Sequence, residues 1–330
     1  MKVGSSSTKR FIGLNAKGRK VAVPYPMLRK PMDMQEQDSA MARPGICVVC
    51  NYQFRDIKLT WSPKVKAICH PFRGNGIALP SDKPWHLFSE SDFCDPSNTP
   101  VRTSTKDYDF VSFSIDSGQG IRCKGLYMLG LLDAAAGIAG QKGLLVLYGS
   151  GGVKQTPDVT QNIQAETDAL SKVRSLYSQL KNITIFKGLM SPEKVAEAFG
   201  SARYALFPNT RDASPRMLAE SLLCGTPALV NENIYGGWKY IAPDTGLFFS
   251  APAFEDTASW GGGSHFTNQL ADRMKQMLLL DPNRVAPSHL SRYGFANAAR
   301  SMAGIINATF GTSYRMVCYD EHLKLLEAMK

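Results

Sequence analysis

The chain has 330 residues, 44% of them hydrophobic and 20% charged, which is enough for two domains with their own cores and too apolar for disorder throughout. No run of about 18 apolar residues occurs. The opening "MKVGSSSTKRFIGLNAKGRK" is too polar for the core of a secretory signal, so membrane-spanning and secreted classes are set aside and a cytoplasmic protein is expected.

The net charge of +10 is unevenly placed: residues 1–105 carry 16 Lys+Arg against 8 Asp+Glu, and the rest 22 against 20. A basic first third suits phosphorylated ligands or an anionic membrane surface, and equally a plain solvated face. Without a zinc-finger, RNP or leucine-zipper signature, no specific nucleic acid is expected. Residues 1–45 mix basic clusters, prolines and methionines without a period and read as a basic, partly ordered arm. From 46 onward "ICVVCNY", "VKAICH" and "WHLFSESDF" are short strand candidates. In "CVVC", residues three apart face opposite sides of a strand, which opposes chelation, so buried reduced thiols are expected and no metal site. "DPSNTPVRTSTK", residues 95–106, reads as a linker.

Beyond it, strand and helix signals alternate. "YDFVSFSI" is a strand, "KGLYMLGLLDAAAGIAG" a helix, "KGLLVLYGSGG" a strand ending in a glycine turn, and "VTQNIQAETDALSKVRSLYSQL" a long amphipathic helix. "ITIFKGLM" is a strand, and "SPEKVAEAFGSA" a helix capped by Ser191 with Pro192 at its first position. "YALFPN" is a strand, and a helix from Ser214 and Pro215 to about Cys224 is closed by Gly225. Strand "PALVN", a turn and a helical C-terminal region complete the chain. The alternation predicts a parallel sheet covered by helices, a Rossmann-like domain that binds ligands outside the carboxyl ends of its strands.

Four loops would open on that edge: "DSGQGIRCKG", "GSGGVK", "KGLMSP" and "NTRDASPR". They bring glycines for close approach and Arg122, Lys124, Lys187 and Arg216 for anions, so a phosphorylated ligand fits. A helix is expected to open at "RCKG", which puts Arg122 and Lys124 at its positive end; that placement is easier to understand with an anion between them and the helix. Glu220 lies among Met217, Leu218, Leu222 and Leu223, where a carboxylate needs partners such as a hydroxyl pair. Asp212 reads evenly as a turn or capping residue and as a site residue.

Together "RCKG", "LLVLYGSG", "NITIFKGLMSPEKVAEAFGSARYALFPN" and "DASPRMLAESLLCGTPALV" resemble the donor-binding domain of retaining GT-B glycosyltransferases of the family-4 type, the glycosyl transferases group 1. The resemblance is strongest over residues 108–250. It implies an α/β fold of GT-B type with two Rossmann-like domains, the N-terminal one abbreviated. Residues 46–105 would form that acceptor-side domain, 106–310 the donor domain, and 311–330 a C-terminal helix crossing back. The family's pair of Glu residues, with seven residues between them, falls on Asp212 and Glu220: Glu220 would hold ribose hydroxyls and Asp212 the transferred sugar. Arg122 and Lys124 would pair with the diphosphate. Ala213, Ser214, Pro215 and Arg216 would line the sugar and phosphates, Gly149, Ser150 and Gly151 the nucleotide, and Gly188, Leu189 and Met190 the base. His70 and Arg73 are the acceptor-side candidates, His70 reading also as a structural histidine.

The implied activity is metal-independent transfer of a hexose-like sugar from a UDP- or GDP-sugar to a glycan, lipid-linked or protein acceptor, with retention and no bound cofactor. Peripheral contact with an anionic membrane would use the basic third. The alternatives are a nucleotide-sugar epimerase of the same fold and a non-catalytic nucleotide-sugar-binding protein. Asp212 is one methylene shorter than the family's Glu, and residues 1–105 lack the usual early strand with a glycine-rich loop.

Overall fold

The computed structural model describes residues 10–14, 20–24, 47–50, 65–70, 81–93, 106–148, 163–212, 215–252, 264–313 and 315–316. They divide into two compact units, one of residues 1–94 with 292–330 and one of residues 95–291.

In the first unit, β1 (Arg10–Leu14) and β2 (Lys20–Pro24) pair antiparallel, so part of the expected basic arm is a hairpin. β3 (Cys47–Cys50), β4 (Val65–His70) and β5 (Trp85–Leu87) form a separate three-stranded parallel sheet. "CVVC" is thus a strand, as its β-branched centre dictates. Ala67, Ile68 and Cys69 of β4 are buried, matching the continuous apolar run of a strand covered on both faces.

The second unit is built on six parallel strands: β6 (Tyr108–Ile115), β7 (Gly143–Tyr148), β8 (Ile183–Lys187), β9 (Ala202–Phe207), β10 (Ala228–Asn231) and β11 (Gly246–Phe249). Their spatial order is β11-β10-β9-β6-β7-β8, the doubly wound order of a Rossmann sheet, with the chain reversing its direction of travel between β6 and β9. Helices α1 (Gly118–Lys124), α2 (Leu129–Ala139), α3 (Ile163–Leu176), α4 (Pro192–Gly200) and α5 (Arg216–Leu223) are the crossovers, and α6 (Ser264–Met277) and α7 (Pro282–Arg292) follow.

Alternation along β6 sends Phe110 to one face and Phe113 to the other. Phe110, Leu145, Leu147, Tyr204 and Leu206 pack with α2 and α6, where Ala135, Ala136 and Ala271 are fully buried small residues at the helix contact. On the opposite face Phe113 meets Phe199 of α4, ring centroids 5.0 Å apart. A buried polar chain crosses the first core: the Tyr204 hydroxyl donates to Gln141 Oε1 at 2.8 Å, and Gln141 Nε2 donates to the Met274 carbonyl at 3.1 Å. The Tyr204 hydroxyl and the Gln141 amide thereby satisfy each other instead of being stranded in the core.

Several expectations are corrected. The helix expected over 124–140 is broken: α1 ends at Lys124, Gly125 takes a left-handed conformation (φ 68°), a short 3₁₀ turn spans Leu126–Met128, and α2 follows. The stretch "DSGQGIRCKG", expected as a loop opening a helix at "RCKG", instead contains α1, started by Ser117, whose Oγ accepts from the Gly120 N–H. β11 was not read from the sequence; it is a four-residue run "GLFF" pairing in parallel with β10.

The helical C-terminal region continues in the first unit with α8 (Phe295–Phe310), closed by Gly311. β12 (Arg315–Met316) pairs antiparallel with β1, so these two residues are extended where a helix was expected. The rest of the expected C-terminal helix, 317–330, lies outside the described residues.

Candidate functional site

In a doubly wound sheet the crevice for a ligand opens where two neighbouring strands send their crossovers to opposite faces. Here those strands are β6 and β9, and the segments leaving them meet. Beyond β6, Asp116 and Ser117 lead into α1. Beyond β9, residues 208–212 lead towards α5.

The two segments are stitched together. Thr210 N–H donates to the Cys123 carbonyl at 3.1 Å, and Thr210 Oγ1 donates to the Arg122 carbonyl at 2.7 Å. Gly125 lies so close to Pro208 that a Cβ there would stand 2.2 Å from the Pro208 carbonyl oxygen. From the other side Tyr235 N–H donates to the Thr210 carbonyl (3.0 Å) and Gly236 N–H to the Asp212 carbonyl (2.9 Å).

This scaffold brings the Lys124 ammonium onto Asp212 Oδ2. Asn209 Nδ2 donates to the same oxygen at 2.8 Å. The pair is mostly withdrawn from water, with side-chain exposures of 18% for Lys124 and 11% for Asp212. Burial alone would push the lysine down, but the charges of Asp212 and Tyr148 and the Asp212 hydrogen bond outweigh it, so Lys124 titrates above an ordinary lysine. Tyr148, ending β7, is raised by burial, with Lys124 opposing and Asp212 reinforcing. The Cys123 thiol is also raised by burial, against the hydrogen bond and charge of Arg122.

Arg122 and Lys124 lie in the last turn of α1, not at a helix start. There the dipole favours cations, so the expected conflict with the helix does not exist and lends no support to an anion site. What remains is the position of Lys124 at the switch point.

A second cluster gathers around Asp116. Arg174 Nε of α3 meets its Oδ1 at 3.0 Å, the Tyr177 hydroxyl donates to the same oxygen at 3.1 Å, and Lys187 Nζ lies 4.0 Å from its Oδ2. Lys187 also stacks over the Tyr177 ring, 4.5 Å from its centroid. Burial and the Asp116 charge push the Tyr177 phenol well up. Lys187, expected among the anion-binding residues, is thus engaged with Asp116 and Tyr177.

Glu220 pairs with Arg216 one turn earlier on α5, Nε to Oε1 3.1 Å, with exposures of 36% and 48%. α5 begins one residue later than expected, its N-cap being Pro215, against which Gly237 packs. Gly188 N–H donates to the Leu147 carbonyl at 3.0 Å, tying the segment after β8 to β7; Leu189 is 84% exposed and Met190 half-buried. His70 ends β4 in the first unit, buried beside Trp85 (centroids 5.1 Å), and burial lowers its pKa. Arg73, Gly149, Ser150, Gly151, Ala213 and Ser214 lie outside the described residues.

Sequence reasoning missed Asn209, Thr210, Tyr148 and Asp116. Each is a polar residue at or just past the carboxyl end of a strand, and that position was the available signal. Among the described residues no helix is long and apolar enough to cross a membrane.

No family model matches the chain, and no curated protein does. Solved structures do resemble it. A sucrose-phosphate synthase from Thermosynechococcus elongatus superposes with TM-score 0.56 at 13% identity, covering 83% of this chain and 70% of its own. Staphylococcus aureus TarM, in complex with fondaparinux, α-GlcNAc-glycerol and UDP, gives 0.51 at 12%, covering 78% and 46%. The pneumococcal O-GlcNAc transferase GtfA, in complex with UDP and GlcNAc, gives 0.51 at 11%, covering 77% and 47%. The chain therefore spans less than half the length of the last two. At these identities the likeness establishes the fold: an α/β architecture of the GT-B type, shared with glycosyltransferases.

Proposed function

We propose that this chain is a glycosyltransferase that moves a sugar from a nucleoside-diphosphate sugar to an acceptor with retention of configuration. The observation that carries the reading is the Lys124–Asp212 pair at the β6/β9 switch point, the one crevice of such a sheet where a diphosphate and its sugar would lie. The fold shared with glycosyltransferases supports it, and so does UDP in the TarM and GtfA structures.

In this reading Lys124 and Arg122 face the diphosphate, Glu220 the ribose hydroxyls and Asp212 the sugar. The segment Gly188–Met190 lies beside the base, with the exposed Leu189 side chain offering it an apolar contact. Gly149, Ser150 and Gly151 border the nucleotide, and Ala213, Ser214, Pro215 and Arg216 the sugar and phosphates. Of the two acceptor-side candidates, His70 is buried and fits a structural role, which leaves Arg73 for the acceptor side.

The bond from the sugar's anomeric carbon to the diphosphate oxygen breaks with its electron pair passing to the phosphate, through an oxocarbenium-like state. The acceptor oxygen bonds the same face of that carbon, and its proton passes to the departing phosphate. Charge grows on the diphosphate as the bond breaks, so a fixed ammonium there stabilises the transition state more than the ground state. Lysine supplies that charge without a metal ion, and turnover should survive a chelator.

The test is release of free nucleotide from a panel of UDP- and GDP-sugars offered glycan, lipid-linked and peptide acceptors, with the anomeric configuration of the product read by NMR. Acceptor-dependent release with retention is expected. Donor isomerisation without acceptor, or tight binding with no turnover on any acceptor, would overturn it.

A further inference from the structure

Lys124 reaches the switch point already bonded to a carboxylate. Asp212 Oδ2 meets the ammonium and also accepts from Asn209, and the pair is mostly buried, so water competes weakly for either charge. The backbone on both sides is fixed, since residues 210–212 are held by the carbonyls of Arg122 and Cys123 and by the N–H groups of Tyr235 and Gly236. Asp212 can leave the lysine only by turning its side chain.

A phosphate arriving at Lys124 therefore finds the seat occupied by another anion. Two like charges a few ångströms apart repel strongly even at the effective dielectric of a protein surface, so carboxylate and phosphate cannot both hold the ammonium at full strength. What the ligand brings for the displaced carboxylate decides the balance. A nucleoside-diphosphate sugar carries sugar hydroxyls, which are hydrogen-bond donors. A bare nucleoside diphosphate carries none at that end.

Asn209 leans the same way. It is 4% exposed, and its Oδ1 has no hydrogen-bond partner among the described residues, so a second buried acceptor waits beside Asp212. Hydroxyls can satisfy it and phosphate oxygens cannot.

We propose that Asp212 is an internal competitor for the phosphate seat on Lys124, making the site favour the sugar-bearing nucleotide over the free diphosphate and so promoting release of the diphosphate product. This rests on reading the switch point as a nucleotide-sugar site. The carboxylate acts as a specificity element: it opposes the diphosphate alone and is reconciled to it only when hydroxyls accompany it.

The experiment is titration calorimetry of the full chain with UDP, UDP-glucose, GDP, GDP-mannose and inorganic pyrophosphate. Asp212→Asn, which keeps the shape and removes the charge, should bind the diphosphates and pyrophosphate at least tenfold more tightly than the wild type. The sugar esters should change less than threefold or weaken. Asp212→Ser, smaller and also neutral, should behave alike and serves if Asn at 212 lowers the melting temperature too far for titration. With Lys124→Ala as background, Asp212→Asn should lose most of its gain.

Unchanged or weaker diphosphate binding in both neutral variants would overturn the proposal, as would an equal gain with Lys124 absent, which would mean general repulsion rather than competition for the lysine. Failure of the underlying reading looks different: the wild type itself would bind none of these compounds.

Discussion

Gly125 joins the two halves of the proposed site, and replacing it tests the packing argument without touching a charged group. Its φ of 68° is left-handed, and a Cβ would stand 2.2 Å from the Pro208 carbonyl oxygen and 2.7 Å from its carbon, both main-chain atoms of the segment leaving β9. Gly140 is a matched control, with φ 69° at the end of α2 and nothing within 4 Å of the added carbon. Both substitutions carry the left-handed penalty of about 1 kcal/mol. Only Gly125→Ala must also move backbone, an overpacking cost of about 1–3 kcal/mol. Gly140→Ala should therefore lose about 1 kcal/mol and Gly125→Ala about 2–4 kcal/mol, read from urea midpoints at constant slope. Because Lys124 is its neighbour, Gly125→Ala should also weaken nucleoside-diphosphate binding, whereas Gly140→Ala should not. Equal stability losses at the two glycines would refute the close approach of α1 to the β9 exit.

Lys124→Met leaves Asp212 buried with Asn209 as its remaining side-chain hydrogen-bond partner among the described residues, and breaking such a pair costs about 3 kcal/mol, measurable by chemical unfolding. Since the folded lysine titrates above the unfolded one, the stability it adds is complete below about pH 10.4 and fades as pH rises through the folded value; a difference from Lys124→Met that widens above that pH would contradict the pairing. Glu220→Ala should weaken UDP- or GDP-sugar binding while shifting stability by less than about 0.5 kcal/mol, because an exposed pair one helical turn apart contributes little. Unchanged donor affinity in that variant would remove Glu220 from the site.

The strand and helix alternation of the second unit was legible because its parallel strands are short β-branched and aromatic runs separated by capped amphipathic helices. α4 is the clearest case: Ser191 caps it, with Pro192 in its first turn, as the tripeptide "MSP" implies. Asp212 was legible as a candidate because it precedes a helix and follows a strand. Lys124 was legible as an anion-binding candidate, but its pairing with Asp212 was not, since the two lie 88 residues apart and their contact depends on β6 and β9 being neighbours.

Periodicity gives no strand order, so the switch point itself had to come from the structure. The break at Gly125 was hidden because Lys124 and Gly125 were read as the start of one helix with the apolar run that follows; only the approach of Pro208 shows why a glycine is needed there. The supposed conflict of Arg122 and Lys124 with a helix dipole came from placing the helix start one element too late.

The most direct test of the account is the affinity of the Asp212→Asn chain, whose residue 212 is neutral, for a nucleoside, its monophosphate and its diphosphate, compared with the same chain also carrying Lys124→Ala. Uridine and guanosine series measured by calorimetry would serve. A fixed ammonium freed of its competing carboxylate contributes about 1.5–3 kcal/mol to a phosphate contact, so in Asp212→Asn the diphosphate should bind about 10- to 100-fold more tightly than the nucleoside, and adding Lys124→Ala should erase most of that difference. Equal affinity for nucleoside and diphosphate, or a preference that survives the loss of Lys124, would contradict the claim that the β6/β9 crevice is a diphosphate site.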